Sequence, residues 1–172
     1  MKNYTTLFFL FIATISFGQI IHKRKLSMLG SPFEMTVVAK DTVQGNQYID
    51  LGIAEVKRIE YLISDWIPST QISKVNQNAG IKPIKVDKEV YDLVERAIKV
   101  SQITSGAFDI SYASMDKIWK FDGSMKQMPT EEAIKKSISK IGYKNIILDP
   151  KGQTIFLRKE GMKLGLGGIG QG

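Results

Sequence analysis

The chain has 172 residues, of which 43% are hydrophobic and 24% charged, a balance typical of a globular protein that excludes an intrinsically disordered one. Its net charge of +7 comes from 24 Lys and Arg against 17 Asp and Glu. The excess is diffuse apart from Lys23-Arg24-Lys25, so charge does not establish nucleic-acid binding and no nucleic-acid partner is expected. The absence of cysteine excludes disulfides, thiolate metal sites and lipids attached through cysteine.

Residues 1–18 are predicted to be a signal peptide. Lys2 gives a positive start, residues 7–13 form a short apolar run, and Ser16 and Gly18 are small residues at the positions that a signal peptidase reads. The run is short for a membrane span, although an uncleaved anchor stays open as an alternative. We therefore expect an exported mature chain, residues 19–172, in the periplasm or on the outer face of the cytoplasmic membrane, without a lipobox cysteine.

The first elements of the mature chain are predicted from alternation and from turn residues. The basic cluster at residues 23–25 is interpreted as a basic lead-in. The run Leu29-Gly30-Ser31-Pro32 indicates a loop, because Gly and Pro lie two residues apart. Alternating apolar residues predict a strand over residues 33–39.

Two helices are predicted next, with an aromatic residue in the loop between them. An apolar stripe at helical spacing predicts a helix over residues 47–64, which ends ahead of Pro68. Residues 69–76 predict a short second helix. Trp66 lies in the loop, where it has two interpretations: a ring that covers the edge of the core, or a flat surface for stacking on a ring system.

The third predicted helix ends in a turn that carries candidate binding groups. Asp87 is its expected N-cap, and Gly106 is expected to stop it through a positive φ. The following Phe108 and Asp109 have two interpretations. They are a core ring with a turn-forming carboxylate, or a binding turn whose carboxylate accepts hydrogen bonds from a ribose or an exocyclic amine.

The remainder predicts one more helix and a run of short strands. Thr130 is the expected N-cap of the helix, and Gly142 its expected stop. Residues 145–148, 154–158 and 162–166 predict an antiparallel meander. The whole chain is therefore expected to be α+β, with mixed or antiparallel sheets packed against amphipathic helices.

Residues 165–172 form a glycine run with five glycines among eight positions. Such a run exposes backbone groups for a phosphate or a metal. It lacks the helix that a dinucleotide-binding fingerprint requires after it. Since globular domains rarely end on a glycine loop, we expect a fragment that is incomplete at its C-terminus.

Four stretches together resemble the FAD:protein FMN transferases, formerly called thiamine-biosynthesis lipoproteins. Their order and spacing agree from about residue 26 to the end. The four stretches are Leu29-Gly30-Ser31-Pro32-Phe33, Ile63-Ser64-Asp65-Trp66 followed by residues 73–76, Gly106-Ala107-Phe108-Asp109, and Gly167-Gly168-Ile169-Gly170-Gln171-Gly172.

The resemblance implies an exported enzyme that cleaves FAD at its pyrophosphate with Mg²⁺ and transfers FMN to a Ser or Thr hydroxyl of a flavoprotein subunit, releasing AMP. The expected partners are FAD and this flavin-acceptor subunit, with association at a membrane surface as a further expectation. Alternatives are an exported FAD-binding protein or an FAD pyrophosphatase without transferase activity, and a structural domain without a ligand.

The resemblance also implies roles for single residues. Leu29 falls where the family has a flavin-contacting Met, Trp66 is the flat partner for a ring, and Asp109 with the backbone of Ala107 and Phe108 supplies acceptors for the cofactor. The carbonyl of Gly168 is the expected metal ligand, since Mg²⁺ takes oxygen ligands. The catalytic residue stays unknown.

Two positions depart from the family pattern at the expected cofactor site. Gly165 stands where the family has an Asp, which removes a carboxylate. Gln171 stands where the family has a Lys, which keeps hydrogen bonding and loses charge. The other metal ligands of the family fall beyond residue 172. The resemblance therefore predicts that these 172 residues alone are inactive.

Overall fold

The computed structural model describes residues 18–119 and 122–170 and divides the chain into two compact units, Met1–Val56 and Lys57–Gly172. The predicted signal peptide lies outside the described residues except for Gly18. The elements are mixed α and β, and both sheets are antiparallel, which confirms the predicted fold class. No helix in the described part is both long and apolar enough to cross a membrane.

The first unit contains a β-hairpin and the beginning of a helix. Strands β1 (Ile20–Met28) and β2 (Ser31–Ala39) pair along their whole length, from Ile20 opposite Ala39 to Met28 opposite Ser31. The two-residue turn between them has φ of 53° at Leu29 and 72° at Gly30. A two-residue turn with positive φ at both positions matches the twist of the strands, so the predicted loop is a tight turn.

Strand β1 contains residues 23–25, which the sequence indicated only as a basic lead-in. Lys23 and Lys25 are exposed, whereas His22, Arg24 and Leu26 alternate with them and are half-buried. The Arg24 guanidinium donates to Asn46 Oδ1 and to the Asp50 carboxylate, and His22 Nε2 lies 2.9 Å from Asn46 Oδ1. The charged residues belong to a strand because their inward members find polar partners on the helix that follows.

Helix α1 (Thr42–Ile63) begins in the first unit and ends in the second, and it starts five residues before its predicted start. The extension has a local cause. Asp41 Oδ1 accepts a hydrogen bond from Gln44 N at 2.8 Å, and Gln44 Oε1 accepts one from Lys40 N at 3.0 Å. Side-chain acceptors at a helix start satisfy N–H groups that have no partner within the helix.

The second unit contains the remaining helices and a three-stranded sheet around one core. Helices α2 (Gln71–Gln77), α3 (Lys88–Ile103) and α4 (Glu131–Ile138) are accompanied by 3₁₀ turns at Ile110–Ser114 and Tyr143–Asn145. Strands β3 (Ile84–Lys85), β4 (Ile146–Asp149) and β5 (Thr154–Leu157) lie in the order β3-β5-β4. The fully buried side chains of its core include Ile72, Val94, Ile110, Ile155, Leu157, Met162, Leu164 and Leu166.

Helices α2 and α3 follow the sequence closely. Ile72 and Val75 of α2 and Val90 and Val94 of α3 are buried, as the helical spacing of these apolar residues indicates. Asp87 is the N-cap of α3, but its side chain makes no capping hydrogen bond. Its carboxylate instead accepts from Gln71 Nε2, and its N–H donates to Gln71 Oε1, both at 2.6 Å. The predicted cap therefore joins two helices.

The end of α3 uses two residues with positive φ where one was predicted. Ser105 has φ of 53° and Gly106 has φ of 88°. Gly106 N donates to Ser101 O at 2.8 Å, and Ser105 N donates to Gln102 O at 3.2 Å. This pair of bonds closes a Schellman motif, in which Ser105 takes the left-handed position that glycine usually occupies.

Helix α4 begins as predicted, because Thr130 Oγ1 accepts from Ala133 N at 3.2 Å. It ends at Ile138, four residues before the predicted stop at Gly142. Beyond the helix, Ile141 N donates to Ile138 O at 3.0 Å. The chain therefore continues in a tighter turn, and Gly142 with φ of 149° follows that turn and not the helix itself.

The predicted third strand of the meander, residues 162–166, is wrong. These residues pair with no strand in the described part of the chain, and β3 is the second neighbour of β5. Leu164 donates its N–H to Asn76 Oδ1 at 2.7 Å and accepts at its carbonyl from Asn76 Nδ2 at 3.1 Å. Ser114 Oγ does the same for Lys163, at 2.7 Å and 3.1 Å. Side chains thus replace the neighbouring strand.

Candidate functional site

A cleft of about 610 Å³ opens on the surface of the second unit. We call it the Trp66 cleft. It is formed by the loop after α1, helix α2, the 3₁₀ turn at 110–114 and the residue that precedes Leu164. The side chains that matter for its chemistry are Trp66, Ser73, Asn76, Tyr112, Lys117 and Lys163.

The loop after α1 presents Trp66 to solvent. Thr70 Oγ1 donates to Ser64 O at 2.6 Å and lies 3.0 Å from Ile67 O, and Trp66 N donates to Ser64 Oγ at 3.2 Å. These bonds fix the loop backbone, while the Trp66 side chain is 80% exposed. The core-edge interpretation is therefore wrong, and the exposed ring is suited to stacking.

Two cations and one carboxylate line the same cleft. Lys117 Nζ lies 5.3 Å from the centre of the Trp66 ring, which is cation–π distance. The backbone of Lys163 is fixed by Ser114 Oγ, which accepts from its N–H and donates to its carbonyl. Asp65 is the acidic residue in the lining of the cleft. With half-exposed Tyr112 beside them, these groups suit a ligand that carries an aromatic ring and negative charge.

The Asp109 carboxylate accepts three hydrogen bonds within the protein, which the sequence did not indicate. Its Oδ1 accepts from Ser111 N at 2.8 Å and from Ser111 Oγ at 2.6 Å, and its Oδ2 accepts from Tyr143 N at 2.7 Å. The carboxylate caps the 3₁₀ turn and joins it to residue 143. A carboxylate has about four acceptor positions, and three of them are occupied by these bonds. The fourth position is the one available for the predicted contact with a ligand, which stays a prediction.

The backbone of the turn before Asp109 is partly occupied. Ala107 N donates to Thr104 O at 3.0 Å, and Phe108 N donates to Thr104 Oγ1 at 3.1 Å. Ala107 is exposed, and half-buried Phe108 packs against the core. Both N–H groups are thus used in hydrogen bonds within the turn. The predicted backbone contacts with a cofactor therefore concern the carbonyl groups of Ala107 and Phe108.

Gly168 of the glycine run lies against this turn. A Cβ atom added to Gly168 would lie 3.7 Å from the Phe108 ring, and one added to Gly165 would lie 3.0 Å from Ala113 Cβ and 3.3 Å from the Tyr112 ring. Buried Gly165 also donates its N–H to Ile110 O at 2.9 Å. The structure therefore brings the 106–109 turn and the glycine run together beside Tyr112.

Two further cofactor contacts were predicted, at Leu29 and Gln171. Leu29 is half-buried in the hairpin turn of the first unit, and Gln171 lies outside the described residues. For Leu29, Gly165 and Gln171 the predicted cofactor contact stays a prediction. At Gly165 the close approach of Ala113 and Tyr112 leaves little room for a larger side chain.

The described residues do not fit Mg²⁺. Mg²⁺ requires near-octahedral oxygen ligands and gives up its waters reluctantly. No group of three or more His, Cys, Asp or Glu residues within 18–119 and 122–170 could hold a metal ion. The exposed Gly168 would contribute one carbonyl oxygen, and Gly165 contributes no carboxylate. We therefore derive no chemical step through a metal at this site.

Sequence reasoning missed both cleft lysines. Tyr112 was recognisable as part of an aromatic-rich segment, together with Trp119 and Phe121. Lys117 and Lys163 carried no signal, because they are two of 24 basic residues and neither lies in a motif. Their place in the cleft depends on contacts between distant segments.

Replacing Asp109 with Ala is expected to destabilise the protein by about 2–3 kcal/mol, because three N–H or O–H donors lose a charged acceptor. Chemical denaturation followed by circular dichroism measures the change. Asp116→Ala, at an exposed carboxylate in the same segment, is the control and should change stability by less than about 0.5 kcal/mol. Equal stability of Asp109→Ala and the parent chain would contradict the structural role.

Comparison with known proteins identifies a family and several relatives. The model of the ApbE family matches residues 29–172. An "FAD:protein FMN transferase" of Klebsiella pneumoniae (strain 342) is 26% identical over 145 residues, which are 84% of this chain and 45% of that protein. One of Treponema pallidum is 26% identical over 118 residues, 66% of this chain and 33% of that protein.

Solved structures of ApbE proteins also superpose on this chain. The ApbE protein of Thermotoga maritima superposes with a TM-score of 0.76 at 26% identity, over 89% of this chain and 49% of that one. The flavin transferase ApbE of Vibrio cholerae superposes with a TM-score of 0.71 over the same shares, and at 18% identity it supports the fold alone. The chain thus spans about half the length, or less, of the relatives that it matches.

Proposed function

Because the chain belongs to the ApbE family, we propose that it takes part in flavin transfer, in which FMN passes from FAD to a Ser or Thr hydroxyl of a flavoprotein subunit and AMP is released. The observation that carries the proposal is the Trp66 cleft, which is lined by an indole 80% exposed and by two lysines. The names of the relatives from Klebsiella pneumoniae and Treponema pallidum support the same activity.

The proposed reaction is a substitution at phosphorus. The hydroxyl oxygen of the acceptor bonds to the phosphorus on the riboflavin side of the pyrophosphate, the anhydride bond breaks, and AMP leaves with the bridging oxygen. The hydroxyl proton is lost to a base. Mg²⁺ would offset pyrophosphate charge and is proposed for the reaction of the whole protein, but none of the described residues is assigned to hold it. What the described residues support is binding: Trp66 stacks on a ring, and the cleft lysines attract phosphate.

The proposal places the reaction outside the cytoplasm, because residues 1–18 have the features of a signal peptide. Association with a membrane surface is part of it, supported by the net charge of +7. The acceptor is a flavoprotein subunit that meets the enzyme in the same compartment.

The experiment that tests the proposal measures the transfer of FMN from FAD to a flavoprotein subunit. The complete reading frame that contains this sequence is expressed and incubated with FAD, Mg²⁺ and a candidate flavoprotein subunit. Mass spectrometry of the subunit follows the addition of one FMN, and chromatography follows AMP. The proposal fails if FAD binds to no part of the Trp66 cleft or if the subunit never gains FMN.

A second function is favoured by one observation. Gly165 lacks the expected carboxylate and is packed against Ala113 and Tyr112, which suits a protein that binds FAD without transferring FMN. AMP release without a modified subunit would indicate a pyrophosphatase. Bound FAD without AMP release would indicate a binding protein.

Trp66→Ala is expected to weaken FAD binding about tenfold, since aromatic contacts contribute roughly 0.5–1.5 kcal/mol beyond burial. The melting temperature should stay unchanged, because the ring is 80% exposed. Quenching of flavin fluorescence measures the affinity. Tyr61→Ala removes an exposed aromatic residue that does not line the cleft and should bind FAD as the parent chain does. Unchanged affinity with a lowered melting temperature would exclude Trp66 from the site.

A further inference from the structure

Lys117 occupies a place that a ligand ring stacked on the same face of Trp66 would need. Its ammonium lies 5.3 Å from the centre of the Trp66 ring, and both side chains line the same cleft. Stacked aromatic rings place their centres about 4.5–7 Å apart, so a ligand ring that stacks on the face of the indole carrying the ammonium competes with it for the same space.

The contact that Lys117 makes in this position is weak and easily exchanged. An exposed cation–π contact is among the weaker polar interactions, whereas a bond between an ammonium and a phosphate is charge-assisted and stronger. Among the described residues, Lys117 forms no ion pair with a carboxylate, and its side chain is exposed. Its flexible four-carbon stem allows the ammonium to move without a change in the backbone.

We propose that Lys117 makes the Trp66 cleft selective for aromatic ligands that carry a phosphate. In the free protein the ammonium lies on the indole. When a ring enters, the ammonium leaves the indole and pairs with the phosphate of the same ligand. A ring without phosphate displaces the ammonium and gives it no new partner. The inference rests on the proposed function and adds to it a basis for preferring FMN and FAD over riboflavin.

Lys163 is a suitable comparison, because it adds positive charge to the cleft as Lys117 does but makes no cation–π contact with Trp66. It lines the same cleft, and Ser114 holds its backbone on both sides. The cation–π contact with Trp66 belongs to Lys117 and not to Lys163. Removing Lys163 should therefore weaken phosphate binding without uncovering the indole.

The experiment measures the affinity of the full chain for riboflavin, FMN, adenosine and AMP by titration calorimetry. The variants are Lys117→Ala, Lys117→Arg and Lys163→Ala, with Lys151→Ala as the matched control in the turn between β4 and β5. Lys117→Ala is expected to weaken FMN binding about tenfold and to leave riboflavin binding equal or tighter by about two- to fivefold. Lys117→Arg should restore most of the FMN affinity, Lys163→Ala should weaken FMN alone, and Lys151→Ala should change neither.

The outcomes separate this inference from the proposed function. If Lys117→Ala weakens riboflavin and FMN equally, or changes neither, the selectivity of Lys117 is refuted while flavin binding stands. If the parent chain binds no flavin but binds AMP more tightly than adenosine, and Lys117→Ala removes that difference, the inference stands and the flavin function fails. If none of the four ligands binds, both are refuted.

Discussion

Residues 19–172, purified as a separate protein, are expected to release no AMP from FAD in the presence of Mg²⁺. The reason is the donor set: within the described residues no cluster of acidic or histidine side chains could hold a metal, and the glycine run supplies at most one expected carbonyl oxygen at Gly168. Mg²⁺ keeps its water shell unless several oxygens replace it in near-octahedral array. Without a bound metal the pyrophosphate charge stays unshielded.

Chromatography of AMP after incubation with FAD, with and without a chelator, checks this expectation. The FAD:protein FMN transferase of Klebsiella pneumoniae, about half of which this chain matches, serves as the positive control. FAD binding by residues 19–172 is measured on the same preparation, so that a lack of turnover is distinguished from a lack of folding. Turnover that the chelator abolishes would show that these residues do contain a metal site.

Asn76→Ala is expected to destabilise the second unit by about 3–5 kcal/mol. The Asn76 side chain satisfies both the N–H and the carbonyl of Leu164, and Leu164 is completely buried. Each buried backbone group left without a partner costs roughly 1–3 kcal/mol. A domain has about 5–15 kcal/mol of stability in total, so the loss is a large part of it.

Urea denaturation followed by circular dichroism measures this change. Asn78→Ala is the matched control, since Asn78 Nδ2 donates to Lys74 O at 2.8 Å at the exposed end of the same helix. Its loss should cost about 1 kcal/mol or less. If the two variants were equally stable, the bonds to Leu164 would not hold the segment as described.

Elements whose residues satisfy one another locally were predictable from the sequence. The apolar stripe of α3 predicts its buried face, because Val90 and Val94 recur at helical spacing. Thr130 and the polar start of α4 predict its N-terminus. In both cases the decisive interactions lie within one or two turns of the chain.

Elements that depend on distant partners were not predictable. Strand β1 turns His22 and Arg24 inward, which breaks the apolar alternation of a strand, and their partners are Asn46 and Asp50 on α1. The apolar run 162–166 has the pattern of a strand, yet the backbone of residues 163 and 164 bonds with the side chains of Ser114 and Asn76. No local pattern distinguishes a buried strand from a buried segment of another kind.

The residues of the candidate site likewise differ in whether the sequence alone could identify them. Trp66 was recognisable as a candidate because tryptophan in a polar loop is conspicuous. Its exposure of 80% excludes the core-edge interpretation, while stacking on a ring stays a prediction. Lys117 and Lys163 were not recognisable, since any exposed lysine has the same sequence signature. Asp109 was recognisable, but its bonds with Ser111 and Tyr143 required the folded chain.

The segment held by Asn76 and Ser114 also has a consequence for the order in which the chain folds. Its partners lie 88 and 49 positions away along the sequence, and closing such loops costs entropy that grows with their length. We therefore expect residues 163 and 164 to become fixed together with α2 and the 3₁₀ turn, where their hydrogen-bond partners lie. Their amide hydrogens are expected to exchange with solvent mainly when the second unit opens as a whole, which hydrogen exchange followed by NMR measures. The glycine run directly after them would then follow a slowly exchanging segment, although its own sequence has little tendency to be ordered.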